Sequence, residues 1–257
     1  MELTPASWSV AVLAALIVGA SKSGVPGGGI LAVALFAQIF PARESTGALL
    51  PVLIVGDLLA VTLLRQHVNW PRLWRLFPWT AAGILLGVGV LAVIDDAELR
   101  GVIGGLIVAM TVYQLAQRFR DRPPLVGVRR YAVPTGNLPS ASWVFTLGMG
   151  LSAGVTTMVA NAAGPFTTLY LLAMRLDKLE FVGTTAWFFL AVNLFKLPFA
   201  VGLGLISWQT LQVDLLLAPA VGVGALWGRW MLRQMDQALF ERLVLGLALL
   251  GGLRLLF

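Results

Sequence analysis

Runs of apolar residues dominate this chain, with short polar stretches between them. The runs fall at 6–40, 45–64, 76–94, 101–117, 141–174, 181–203, 208–228 and 243–257. Several have the length of a helix that crosses a bilayer. Two are too long for one crossing. As a single helix, at about 1.5 Å per residue, 6–40 would extend roughly 50 Å against a hydrocarbon core of about 30 Å. The run 141–174 poses the same problem. Each contains a break, GVPGGG at 24–29 and NAAGP at 161–165. Proline and clustered glycine end helices, so each long run predicts two shorter helices joined inside the membrane or near its surface.

Composition agrees with that pattern. Of the 257 residues, 58% are hydrophobic and only 12% charged, about half the charged share of a soluble domain. The chain therefore reads as an integral membrane protein. It has no cysteine, which excludes disulfide and thiol chemistry. The net charge of +6 comes from bases in short loops between apolar runs, where it reports membrane orientation rather than nucleic-acid binding. The five arginines at 118–130 have no surrounding aromatic or basic surface to suggest otherwise. The start, MELTPASWSV, lacks a basic n-region, so the first run is expected to stay in the mature protein.

The two halves match each other. With a shift of 136, Gly28 falls on Gly164, Gly47 on Gly183 and Asp57 on Asn193. With a shift of 141, Pro78, Gly83 and Gly87 recur as Pro219, Gly224 and Gly228, and Asp95, Ala97 and Gly105 as Asp236, Ala238 and Gly246. An internal repeat follows, with residues 1–117 and 141–257 as two transmembrane repeats and 118–140 as a cytoplasmic linker. Loop charge sets their relative orientation. Loop 65–75 carries three arginines and its mate near 203–209 none. Loop 95–100 has three acids against one arginine, while its mate around 229–242 has three arginines against two acids. Equivalent loops with opposite bias predict inverted halves. Inversion requires an odd number of crossings per half. The expected fold is therefore an all-α polytopic membrane protein of two inverted-topology repeats, each a broken-helix hairpin plus three transmembrane helices.

Broken helices leave backbone N–H and C=O groups that must be buried in protein or line a watery cavity. The helices starting after Gly29 and after Gly164 aim free N–H groups and positive dipole ends at the breaks, a ready anion site. Gly24, Gly27, Gly28 and Gly29 let a ligand approach the backbone closely. Ser21, Ser23, Thr156, Thr157 and Asn161 add side-chain donors, and Pro165 completes the second break. Tight helix packing is the competing account of the glycines.

Ionisable groups within apolar runs are few. Lys22 adjoins the first break, as an anion contact or as a charge reaching back to the membrane surface. Asp57 is open to three roles: proton carrier, counter-charge to Lys22, or structural hydrogen bonding. Lys196 follows Asn193 by three residues on one helix face, a second anion contact or another snorkelling base. Asp214, near the start of its helix, fits a dipole-stabilising acid. His67, the sole histidine, has no Cys, His or carboxylate partner and reads as a surface residue rather than a metal ligand. There is no GxxxxGK[ST], and SKSG lacks any second motif for catalysis. Trp8, Trp70, Trp74 and Trp208 flank helix ends as belt anchors.

These residues also resemble a known family. GASKSGVPGGGILAVALF at 19–36, ARESTGALLPVLIVGD at 42–57, ANAAGPFTTLYLL at 160–172 and EFVGTTAWFFLAVNLFKLPF at 180–199 resemble the sulfite exporter TauE/SafE family of bacterial membrane permeases. The resemblance spans nearly the whole chain, leaving only 118–140 unplaced. It implies a secondary transporter of sulfite, organosulfonates or related anions, commonly outward, in the bacterial inner membrane. It points to Gly24, Gly27, Gly28, Gly29, Asn161, Gly164 and Pro165; Pro26 departs from the pattern. The expected partners are a small inorganic or organic anion and the lipid bilayer, with no nucleic acid, no cofactor, and a homodimer left open. In the expected mechanism helix N-termini hold the anion, Lys22 or Lys196 adds charge, Asp57 couples a proton, and the halves rock about a fixed site. An anion channel and a non-transporting membrane subunit are the alternatives.

Overall fold

A computed structural model describes residues 4–23, 28–64, 67–95, 97, 98, 101, 105, 108, 143–174, 176 and 178–234. Every regular element among them longer than one turn is a helix. In chain order these are α1 (Pro5–Lys22), α2 (Gly28–Ile39), α3 (Ala42–Leu64), α4 (Trp70–Val93), α5 (Trp143–Ala160), α6 (Gly164–Ala173), α7 (Lys178–Gly202) and α8 (Trp208–Gln234). Six contain an apolar stretch of membrane-crossing length: α1, α3, α4, α5, α7 and α8. All but three residues of the apolar run 101–117, the whole of 243–257, the linker 118–140, the second members of the repeat pairs at Asp236, Ala238 and Gly246, and the loop base beyond Gln234 lie outside the described residues.

Both over-long runs are split where expected. α2 has 12 residues and α6 has 10, lengths of about 18 and 15 Å that cannot cross a core of about 30 Å alone. Each packs on the helix before it, α2 on α1 and α6 on α5. At the first break the chain doubles back. A methyl group on Gly28 would meet Ser21 Cβ at 3.1 Å and Ile17 Cγ2 at 3.3 Å, residues one and two turns back along α1. At the second, α5 ends on Asn161, whose φ of 51° is left-handed, a conformation that asparagine tolerates better than most residues. Its N–H donates to the Thr157 carbonyl at 3.0 Å, and the next N–H, of Ala162, donates to that of Thr156 at 3.1 Å.

α4 begins six residues before the apolar run that announced it. Asn69 Oδ1 accepts the Arg72 N–H at 3.2 Å, and proline follows in the first turn. A cap and a first-turn proline start a helix whatever the polarity of the residues they precede. α7 ends in a Schellman motif: the Leu205 N–H donates to the Ala200 carbonyl and that of Gly204, at φ 68°, to Val201, each at 3.0 Å.

Two glycine seams tie the bundle together. α4 lies against α5, where Gly83 meets the Leu151 backbone and Gly154, and Gly87 meets Val155 and Met158. α8 lies against α1, where Gly224 meets the Leu16 backbone and Gly228 that of Ala20. The repeated P-x4-G-x3-G thus makes the same contact twice, each copy on the first helix of the other half. Lipid gives no hydrophobic push between helices, so close backbone approach at small residues drives such contacts. A Cβ at Gly154 would collide with the Thr80 carbonyl, whereas one at Gly89 would meet nothing within 4 Å. Gly154→Ala is expected to cost about 1–3 kcal/mol as overpacking and Gly89→Ala nothing. Thermal unfolding of the two variants in detergent checks this; equal midpoints would refute the seam.

Candidate functional site

The breaks bring together charged side chains that are far apart in sequence. Lys22 ends α1, and its Nζ pairs with Asp57 Oδ1 on α3 at 2.7 Å. The Lys22 stem crosses Gly56, where a Cβ would meet Cγ at 3.1 Å. Its ammonium stands 4.2 Å from the ring centroid of Phe189 on α7, within cation–π range. The other Asp57 oxygen accepts from Asn193 Nδ2 at 2.6 Å. Asp57 is 0% exposed and Asn193 2%, while the Lys22 side chain is 11% exposed. Asp57 and Asn193, which a shift of 136 pairs in the sequence, bond to each other.

One turn along α7, Lys196 reaches the second break. Its Nζ donates to the Thr157 carbonyl at 2.9 Å, to Thr157 Oγ1 at 3.4 Å, and to Asn161 Oδ1. Lys196 is only 2% exposed, so neither lysine reaches out to the membrane surface. Asn161 Nδ2 donates to the Thr46 carbonyl on α3 at 2.9 Å, and Thr46 Oγ1 to that of Val159 at 3.2 Å. Lys22, Asp57, Asn193, Lys196, Asn161 and Thr157 therefore form one buried polar array joining α1, α3, α5 and α7 at both breaks.

Other expected site residues fall differently. Thr156 is not a free donor, because its hydroxyl bonds the Ser152 carbonyl one turn back at 2.7 Å. Thr157 Oγ1 and Asn161 Oδ1 face Lys196 rather than an open space. Ser21 lies beside Gly28 and Gly29, its Oγ 3.5 and 3.9 Å from where their Cβ atoms would be. Ser23 is buried, and its Oγ has no partner among the described residues. Gly164 is half-buried with nothing within 4 Å of a Cβ position, and Pro165 follows it, half-buried, in α6. Gly24 and Gly27 lie outside the described residues.

Two side readings are corrected. Asp214 is the seventh residue of α8, past the first turn where a dipole helps, and it is 4% exposed, with neither carboxylate oxygen bonded among the described residues. His67 is half-buried rather than on the surface. Its carbonyl abuts Gly183, and its Nδ1 is buried with no partner among the described residues. Three residues that contact the array, Thr46, Gly56 and Phe189, were not singled out from sequence. No group of three His, Cys, Asp or Glu suited to a metal occurs among the described residues. A cleft of about 380 Å³ lies between the start of α8 and the α2–α3 junction, lined by Phe40, Pro41, Glu44, Ser207, Gln209, Thr210 and Val213, none of them in the array.

Helices of membrane length around a fixed set of buried charges place the chain among multi-pass membrane proteins. It belongs to the sulfite exporter TauE/SafE family, whose model matches residues 11–255 of the 257. That is a family of transporters. Comparison with curated proteins and with solved structures found no match.

Proposed function

We propose that the chain is a secondary transporter that exports a small sulfur-containing anion, such as sulfite or an organosulfonate, across the bacterial inner membrane. The observation that carries this is the buried array, which holds two lysines and one aspartate between two helix breaks. The N-terminus of α6 adds donors and the positive dipole end beside it. Export is coupled to a proton, and the site opens alternately to either side.

Two inverted repeats, 1–117 and 141–257 joined by a cytoplasmic linker at 118–140, best account for the matched seams. They also account for Asp57 bonding its own repeat mate, as residues beside a two-fold axis do. An alternative, an anion channel, predicts flux without exchange. Counterflow of labelled sulfite in proteoliposomes, with and without a pH gradient, tests the proposal. Saturable counterflow driven by the gradient is expected; flux without counterflow would make the protein a channel, and no flux would end the transport reading.

A further inference from the structure

We propose that Asp57 sets the charge of the anion the site accepts, so that the transporter takes monoanions and rejects dianions. This rests on the transport function just proposed and adds to it the substrate's charge state. Lys196 Nζ faces three acceptors, the Thr157 carbonyl, Thr157 Oγ1 and Asn161 Oδ1. Three donors and no acceptor is the pattern of an ammonium. Lys22 is likewise an ammonium, held between a carboxylate oxygen and the face of Phe189. Asp57 Oδ1 stands 2.7 Å from Lys22 Nζ as an ion pair and Oδ2 accepts from the Asn193 amide, the arrangement of an ionised carboxylate.

The array thus holds two cations and one anion, and among the described residues no carboxylate pairs with Lys196. One buried positive charge is left over. A charge away from water is costly unless matched, so an entering anion that brings one negative charge neutralises the site. A second negative charge would itself go unmatched. The contact that yields to the anion is the weakest, Lys196 to Thr157 Oγ1 at 3.4 Å, beyond the usual range for N–H···O. The neutral Asp57→Asn side chain keeps the shape and leaves two charges unmatched, with the Asn193 amide turning over to preserve the hydrogen bond.

The test compares two tetrahedral anions of fixed charge, methanesulfonate and sulfate, by labelled uptake into proteoliposomes at pH 8. Wild type is expected to favour methanesulfonate at least tenfold. D57N is expected to shift that ratio toward sulfate by at least a hundredfold. The double variant K22M/D57N restores one net charge and should return the ratio to favour methanesulfonate, even where its rate is low. Wild type that carries sulfate as readily as methanesulfonate overturns the proposal. So does a double variant that prefers sulfate, which keeps the test decisive should D57N alone fail to fold. Wild type that carries neither of these nor sulfite, while correctly inserted, instead overturns the transport reading itself.

Discussion

Lys196→Met is expected to lower counterflow of labelled anion at least a hundredfold while the protein still inserts in the membrane. The lysine supplies the only buried cation of the array not already matched by a carboxylate among the described residues. Methionine fills a similar volume without charge or donors. A charge-assisted hydrogen bond contributes roughly 1.5–3 kcal/mol, so losing one such contact to the anion alone costs about tenfold or more, and losing the field adds to it. Lys196→Arg should not rescue, because the planar fork cannot place three donors on the Thr157 carbonyl, Thr157 Oγ1 and Asn161 Oδ1 as an ammonium does. Counterflow normalised to inserted protein is the measurement. Wild-type rates in the methionine variant would remove Lys196 from the site.

The Lys22–Asp57 pair carries the largest expected effect on stability. Lys22→Met leaves a carboxylate that is 0% exposed with only the Asn193 amide for compensation. Removing one partner of a buried ion pair costs on the order of 3–5 kcal/mol, and the lost contact with Phe189 adds to this. Replacing the pair as a unit, K22M/D57N, removes both desolvated charges and should recover most of that loss. Unfolding of both variants and of D57N in detergent gives the coupling by a double-mutant cycle. A single variant as stable as wild type would mean that the pair at 2.7 Å contributes nothing.

Much of this arrangement was legible in the residues because lipid leaves so few choices. A break in an apolar run must be a helix end, and α1–α2 and α5–α6 separate at those breaks. Opposite charges in runs otherwise nearly free of charge tend to find each other, as Lys22 and Asp57 do. The 136-residue sequence shift pointed to Asn193. What stayed hidden depends on contacts with no local signature. Thr46 enters through its backbone carbonyl, which accepts from Asn161, 115 positions away. Phe189 is one of several aromatics in its stretch, and only packing selects it. Thr156 was misread because a hydroxyl within a helix can bond its own previous turn. The start of α4 was misplaced for a different reason: apolarity was given more weight than the cap at Asn69.

The glycine seams also bear on how the protein is made. Gly19 and the backbone of Leu16 and Ala20 lie against Val221, Gly224, Ala225 and Gly228. About 200 residues separate the two sides of that seam, while α4 and α5 are some 70 apart at theirs. At ribosomal speeds of about 5–20 residues per second, α1 waits roughly 10–40 s for its partner. During that time its small-residue stripe faces lipid or the insertion machinery rather than another helix of this chain. The small-residue face of α1 is thus sealed late, and a chain that stops before α8 displays on α1 the bare face by which a membrane protease or chaperone would know it as unfinished.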